Sequence, residues 1–190
     1  AREELLLGEK VENVLVTGAS GGVGSIAVMI LNKLGCNVTA VTSKESNNEY
    51  LKSIGAKSIT KSSDLDKEPR PLDKGIWDGA VDTVGGNILS NVLPHIKENG
   101  IVAAVGNAGG IKLNTTVMPF IIRGVKLWGI DSVQTSSKRR EFLWGEASKL
   151  IDFALLEKSI KEINLEELLN IFPTMLEGKT SGRYIINLDK

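Results

Sequence analysis

The segment Val14-Leu-Val-Thr-Gly-Ala-Ser-Gly-Gly-Val-Gly24 joins a β-branched run to an amphipathic helical pattern through a glycine-rich turn. Glycine at such a turn lets the backbone reverse sharply and approach a pyrophosphate with no Cβ in the way. The N–H groups at the start of the following helix then face the negative charge. A glycine turn by itself is a weak sign, because Gly also ends strands for structural reasons; the strand–turn–helix context points to a dinucleotide. No Gly-Lys-Ser/Thr follows, so this is not a Walker A loop, and ATP chemistry is disfavoured.

The end of the second strand decides which dinucleotide. NAD-specific sites place Asp or Glu there to accept hydrogen bonds from the adenine-ribose 2′-hydroxyl. This chain has Val41-Thr42-Ser43-Lys44, two hydroxyls and a cation where the acid would stand. A 2′-phosphate would be repelled by a carboxylate; here it gains hydrogen bonds from Thr42 and Ser43 and attraction from Lys44. A half-exposed ion pair of this kind contributes only about 1 kcal/mol, so the missing repulsion matters as much as the new attraction. The competing reading is a solvated loop whose lysine meets nothing. NADP(H) is the expected cofactor.

Gly106-Asn-Ala-Gly-Gly110 and Asp131-Ser132 follow the fifth and sixth expected strands, at the carboxyl edge where open α/β sheets bind ligands. They either hydrogen-bond the nicotinamide carboxamide through backbone groups or are ordinary turn residues. The other reactive side chains read as bland. His95, beside Pro94 and Lys97, is expected on the helix after strand four as a surface histidine. Tyr50 shares a helix with Leu51 and Ile54 and is expected to pack, and Cys36 reads as a small buried filler. Asp82, near the end of strand four, is placed to position a loop or a ribose. No acid–base pair can be assembled, so no catalytic residue is assigned.

These groups are positioned by an alternation of strands and helices. Strands are expected at 14–17, 37–42, 57–60, 79–84, 101–105 and 125–130, with helices at 25–34, 48–54 and 87–97 and a helical turn at 119–124. The charged stretch 62–74, with Pro69 and Pro71, reads as a surface loop. Such βαβα order implies a doubly wound, Rossmann-type parallel six-stranded sheet of order 3-2-1-4-5-6. Beyond Ile130 the pattern becomes helical, at 141–156 and at 165–176. The second helix is opened by Asn164 with Glu167 three residues on. A final strand, 183–188, has no evident partner in the parallel sheet. The expected organisation is 1–10 as the end of a truncated helix, 11–133 as the dinucleotide-binding domain, and 134–190 as C-terminal helices and that strand.

With 23 basic and 23 acidic residues, no long-range field favours nucleic acid or an anionic membrane, and any phosphate must be caught by local geometry. One Cys and one His cannot build a protein-only zinc site or an internal disulfide, so no metal is expected. No apolar stretch is long enough to span a bilayer, and no signal-peptide pattern opens the chain. A reducing cytoplasm is the expected location.

Taken together, Val16–Ser25, Glu49–Ala56, Asp78–Gly86, Thr115–Val133 and Gly182–Leu188 resemble the zinc-independent medium-chain dehydrogenase/reductase superfamily, in its acrylyl-CoA reductase-like or quinone oxidoreductase branch. The likeness runs over nearly the whole chain, and Thr115–Val133 is its most specific piece. The resemblance implies hydride transfer from NADPH to a small-molecule substrate, an enoyl thioester or a quinone. It places Ser20, Gly21, Gly22 and Val23 on the pyrophosphate and Thr42, Ser43 and Lys44 on the 2′-phosphate. Asn107, Ile121 and Ser132 would lie near the nicotinamide. It further implies a homodimer through strand 125–130, and an N-terminal GroES-like domain absent from this sequence, toward which strand 183–188 would return. Without that domain the chain is expected to be inactive alone.

Two rival readings differ in kind. A non-catalytic module that binds or senses NADPH needs only the cofactor site. A short-chain dehydrogenase needs a Tyr-x-x-x-Lys pair, and neither Tyr50 (Ile54 at +4) nor Tyr184 (Leu188 at +4) supplies one.

Overall fold

The structure, a computed structural model, describes residues 11–188; the helix end expected over 1–10 lies outside them. Six parallel strands form one sheet: β1 Asn13–Val16, β2 Asn37–Thr42, β3 Ser58–Lys61, β4 Trp77–Asp82, β5 Ile96–Ala104 and β6 Lys126–Gly129. Their order is β3-β2-β1-β4-β5-β6, the one expected. Two cores explain why the strands read as runs of apolar residues. Leu15, Val41, Ala80 and Val102 pack on one face with the helix α4 (Gly86–Val92). Val16, Val38 and Ala40 pack on the other with α1 (Gly22–Lys33) and α2 (Asn48–Ser53). Successive side chains point to opposite faces, and here both faces are covered, so the consecutive Val14, Leu15 and Val16 of β1 are all buried.

Helix α1 begins three residues earlier than its apolar stripe suggests, because glycines 22 and 24 already adopt helical geometry. The loop expected over 62–74 contains a single helical turn, α3 (Ser62–Leu65), whose Leu65 is drawn into the core. The largest shift is at strand five. Instead of starting near residue 101, β5 begins at Ile96 and carries an irregularity where Asn99 takes φ 60°. The polar Lys97–Gly100 stretch hides this from a hydrophobic pattern.

His95 therefore sits not on a surface helix but on a 3-10 turn just ahead of β5. Its Nδ1 lies 2.8 Å from the Asn91 carbonyl, and its ring is tilted 5.7 Å from that of Trp77. Its side chain is only 21% exposed. At the same edge Arg123, from α5 (Met118–Arg123), donates to the carbonyls of Pro94 (2.7 Å), Ile96 (3.0 Å) and Asp73, tying the loop before β4 to the start of β5.

After β6 the chain departs further from expectation. The helix expected over 141–156 is two helices, α6 (Ser137–Leu150) and α7 (Phe153–Glu157). Ile151 turns extended, and the Asp152 carboxylate accepts the N–H groups of Ala154 and Leu155, capping a new start. The Asn164–Glu167 box forms as reciprocal 2.8 Å hydrogen bonds, and α8 (Leu168–Leu176) follows. The last strand, β8 (Arg183–Ile186), pairs in parallel with β7 (Ile160–Ile163), a strand the sequence pattern does not reveal. This two-stranded ribbon is separate from the six-stranded sheet.

Candidate dinucleotide site

The glycine turn is built as a bare-backbone cradle. Gly21 donates its N–H to the Gly18 carbonyl (2.9 Å), and Ser25 returns to Gly21 (3.0 Å). A Cβ on Gly24 would lie 2.3 Å from the Gly18 carbonyl oxygen and 2.8 Å from Ala19 Cα, so the first turn of α1 packs on the loop only as glycine. Gly21 precedes α1 without offering a side-chain cap. The amides of Gly22, Val23 and Gly24 thus belong to a helix start whose N–H groups suit an anion. The turn is fixed from below by Ala19 N–H to the Val41 carbonyl (3.1 Å) and Thr17 N–H to the Val81 carbonyl (3.0 Å).

The far wall is set by Asp82, which is fully buried. Its carboxylate accepts Thr17 Oγ1–H (2.6 Å) and the N–H groups of Gly85 (2.8 Å) and Val84 (3.4 Å). Burial pushes its pKa above the ordinary carboxylate value, and these donors only partly offset that. Asp82 holds the turn after β4 in place, one of the two roles open to it in the sequence. Gly85 bridges to Gly110, and Gly109 N–H reaches the Val84 carbonyl at 2.7 Å, joining that turn to the loop after β5.

Between these walls lies a cleft of about 890 Å³ at the carboxyl edge, where the strand order reverses between β1 and β4. Ser20, Gly21, Thr42, Ser43 and Lys44 line it. Gly22 and Val23 stand beside it in the first turn of α1, Val23 half exposed. Thr42 is buried, and its hydroxyl accepts Lys44 N–H at 3.2 Å. It therefore shapes the Lys44 turn instead of lying open. Ser43 is exposed. Lys44 Nζ donates to the Thr180 carbonyl at 2.9 Å. Glu45, the next residue, is paired with Lys61 at 2.5 Å, and Asp66 lines the same cleft.

Asn107, Ile121 and Ser132 are not among the residues that line the cleft. All three are exposed, Ile121 at 68%, and Ser132 offers its carbonyl to Arg140 at 2.7 Å. The cleft does gather residues that sequence reasoning left out. Gly85, Gly86 and Asn87 follow β4 directly, and Gly178 and Thr180 come from the C-terminal segment. The Gly-Gly pair after β4 was a readable signal, since it repeats the strand-then-glycine pattern of the first turn. Nothing local marks the C-terminal pair, because its place depends on how β8 docks.

Residues 22–149 match the family profile described as zinc-binding dehydrogenase. The chain belongs to the zinc-binding dehydrogenase family. Among curated relatives of this chain, acrylyl-CoA reductase AcuI of Ruegeria pomeroyi is 42% identical over 177 residues, 93% of this chain and 54% of the relative. The crystal structure of the yhdH oxidoreductase from Salmonella enterica in complex with NADP superposes with a TM-score of 0.92 at 42% identity, over 98% of this chain and 57% of that one. The Bacillus subtilis protein yhfP with NAD bound gives a TM-score of 0.88 at 40% identity, with the same coverage. The chain spans about half the length of the curated relatives it matches. These relatives fall in the branch that the motifs resemble.

The zinc in the family's description finds no counterpart among the described residues. Among the described residues no group of three or more His, Cys, Asp and Glu could hold a metal ion. No step through a metal follows from these residues. The dinucleotide, in contrast, fits: a cradle that a Cβ would fill, a helix start, and a cation where NAD-specific sites hold an acid. Among the described residues no helix is long and apolar enough to cross a membrane.

Proposed function

We propose that this chain forms the NADP(H)-binding part of an oxidoreductase that reduces an activated C=C bond or a quinone, with an enoyl thioester of the acrylyl-CoA kind as the favoured substrate class. One observation carries the reading: the bare-backbone turn at Gly18–Gly24 and the Lys44 corner open into the same cleft at the sheet's switch point. A dinucleotide phosphorylated on its adenine ribose matches both ends at once. Bound there, NADPH supplies the hydride. The chain's own residues orient it: Ser20–Val23 hold the pyrophosphate, and Thr42, Ser43 and Lys44 form the 2′-phosphate corner. Asn107, Ile121 and Ser132 close the nicotinamide end once a substrate-binding domain covers that edge. The name of the Ruegeria relative and the NADP in the Salmonella structure support this reading.

The same reading assigns residues 11–133 to the dinucleotide-binding domain and 134–190 to a region that joins it to an N-terminal GroES-like domain, met by the β7–β8 ribbon. Strand β6 is one edge of the sheet, paired among the described residues with β5 alone. Pairing of 125–130 with its copy across a two-fold axis would join two sheets into a homodimer.

A second reading is favoured by one specific feature. Asp82 is committed to Thr17 and the β4 turn, and the cleft lining offers no His or Tyr. A chain that binds NADPH without turning it over, as a sensor, would look the same. NADPH oxidation in the presence of acrylyl-CoA or a quinone separates the two, measured on this chain and on the chain joined to a GroES-like domain. Turnover that appears with the added domain is the expected result. Tight NADPH binding with no turnover in either form would replace the reductase reading with the sensor.

A further inference from the structure

One end of the cleft is walled by the chain that leaves β3. Thr42 is in register with Lys61 on that neighbouring strand, so the single turn α3 stands beside the Thr42–Lys44 corner. Ser62, which opens the turn, and Asp66, which follows it, both line the cleft. Leu65, just before Asp66, is buried in the core with Ile88 and Val92 of α4. The Lys67 carbonyl, just after it, accepts Asn91 Nδ2–H at 2.7 Å. Asp66 is thus anchored on both sides to α4, whose Asn87 and Ile88 line the same cleft.

The Asp66 carboxylate is an acceptor without a donor. It is exposed, and among the described residues no lysine or arginine pairs with it and no hydrogen bond occupies it. The other charged residues that line the cleft, Lys44 and Lys112, are cations, and the glycine turn offers bare amides. An acid among these works against a phosphorylated ligand unless the ligand also brings it a donor. A dinucleotide brings one at this end. Its adenine hangs from the ribose that the β2 corner meets, and so falls beyond that corner, between α3 and the start of α4. There Val84 and Ile88 offer apolar surface to the ring face. The adenine 6-amino group is a donor at the ring's edge, and a carboxylate can only accept.

We propose that Asp66 selects the base of the coenzyme: its carboxylate accepts the adenine 6-amino group while Val84 and Ile88 carry the ring face. The inference rests on the dinucleotide reading of the cleft. It gives the one acid in the cleft lining a partner that only the bound coenzyme supplies. It also separates two kinds of choice, the 2′-phosphate at Lys44 and the base at Asp66.

The test is calorimetric titration into the full chain and into D66N and D66A variants. The ligands are NADPH and its hypoxanthine analogue, in which a 6-oxo group replaces the 6-amino group and the ring's donor moves to N1. The unmodified chain should bind NADPH about 3- to 10-fold more tightly than the analogue, the low end for a hydrogen bond to a charged group because Asp66 is exposed. D66N and D66A should bring the two ligands to within about twofold of each other, and both variants should keep the preference for NADPH over NADH. Equal binding of the two ligands by the unmodified chain would overturn the inference and leave the cleft assignment standing. So would a preference that D66N and D66A leave unchanged, since Asp66 would then meet some other group, such as the ribose 3′-hydroxyl. Binding of neither ligand by the unmodified chain would overturn both.

Discussion

Thr17 Oγ1 donates to Asp82 Oδ1 at 2.6 Å, linking β1 to β4 beneath the cleft, and both residues are fully buried. The same hydroxyl accepts Thr83 N–H at 3.0 Å, so one threonine supports the carboxylate and the turn that the carboxylate holds. Thr17→Val keeps the shape and removes the donor. A buried acceptor left short of a partner costs about 1–3 kcal/mol, and urea unfolding should show a loss in that range. The pH dependence follows from the raised pKa of Asp82. Its folded value exceeds the unfolded one, so its contribution is complete below the unfolded value near 4 and is lost as pH rises through the folded value. Relative to Asp82→Asn, the unmodified chain should therefore lose stability as pH rises from about 4 toward neutrality.

Asp78 behaves in the opposite sense. Burial would raise its pKa, but Lys97 Nζ at 2.8 Å and the N–H groups of Asn13 (2.7 Å) and Glu12 (3.0 Å) outweigh that, and the net shift is downward. A depressed folded value gives stability that is present above the unfolded pKa and lost as pH falls through the folded one. Asp78→Asn should cost about 1–2 kcal/mol at neutral pH. That deficit should shrink below about pH 4. A deficit independent of pH would mean that packing, and not charge, holds this corner.

The two glycines of the loop should separate folding from binding. A Cβ on Gly21 meets only the Gly18 carbonyl oxygen, at 3.2 Å, whereas one on Gly24 strikes backbone at 2.3 Å. Gly24→Ala should therefore destabilise the fold by more than about 2 kcal/mol. Gly21→Val should stay folded and lose coenzyme affinity by tenfold or more, roughly 1.4 kcal/mol. Undiminished affinity in folded Gly21→Val would remove the pyrophosphate from this turn.

The proposed dimer edge can be probed without disturbing the core. Leu127 packs against the core, but Trp128, its neighbour on β6, is 40% exposed. Trp128→Glu should convert a dimer to a monomer on a sizing column with little change in the unfolding midpoint. A dimer that survives would place the interface elsewhere.

Much of the fold was legible because its determinants are local. Strand β2 falls on Asn37–Thr42, where Val38, Thr39, Val41 and Thr42 are β-branched, and the Asn164–Glu167 box forms as its spacing implies. What escaped depends on distant partners. Ile160–Ile163 reads Ile-Lys-Glu-Ile, four residues that suit helix or strand equally, and only β8 twenty residues on makes them a strand. His95 was misplaced for a related reason. Pro94 ends the helix early, and β5 starts at Ile96, ahead of the polar Lys97–Gly100 stretch where hydrophobicity is lowest. In the cleft, the glycine turn and the Thr42–Lys44 corner could be read from one strand each. Thr180 could not, because it reaches the cleft only through the docking of the segment ahead of β8.

The central claim is that the cleft over Gly18–Gly24 selects a phosphorylated dinucleotide. The most direct measurement is calorimetric titration of NADPH and of NADH into this chain, repeated with Lys44→Glu. One saturable site is expected, with NADPH bound at least about tenfold more tightly than NADH, a difference of roughly 1.4 kcal/mol, and with that preference erased or inverted in Lys44→Glu. No heat with either coenzyme, or equal affinities that Lys44→Glu leaves unchanged, would contradict it.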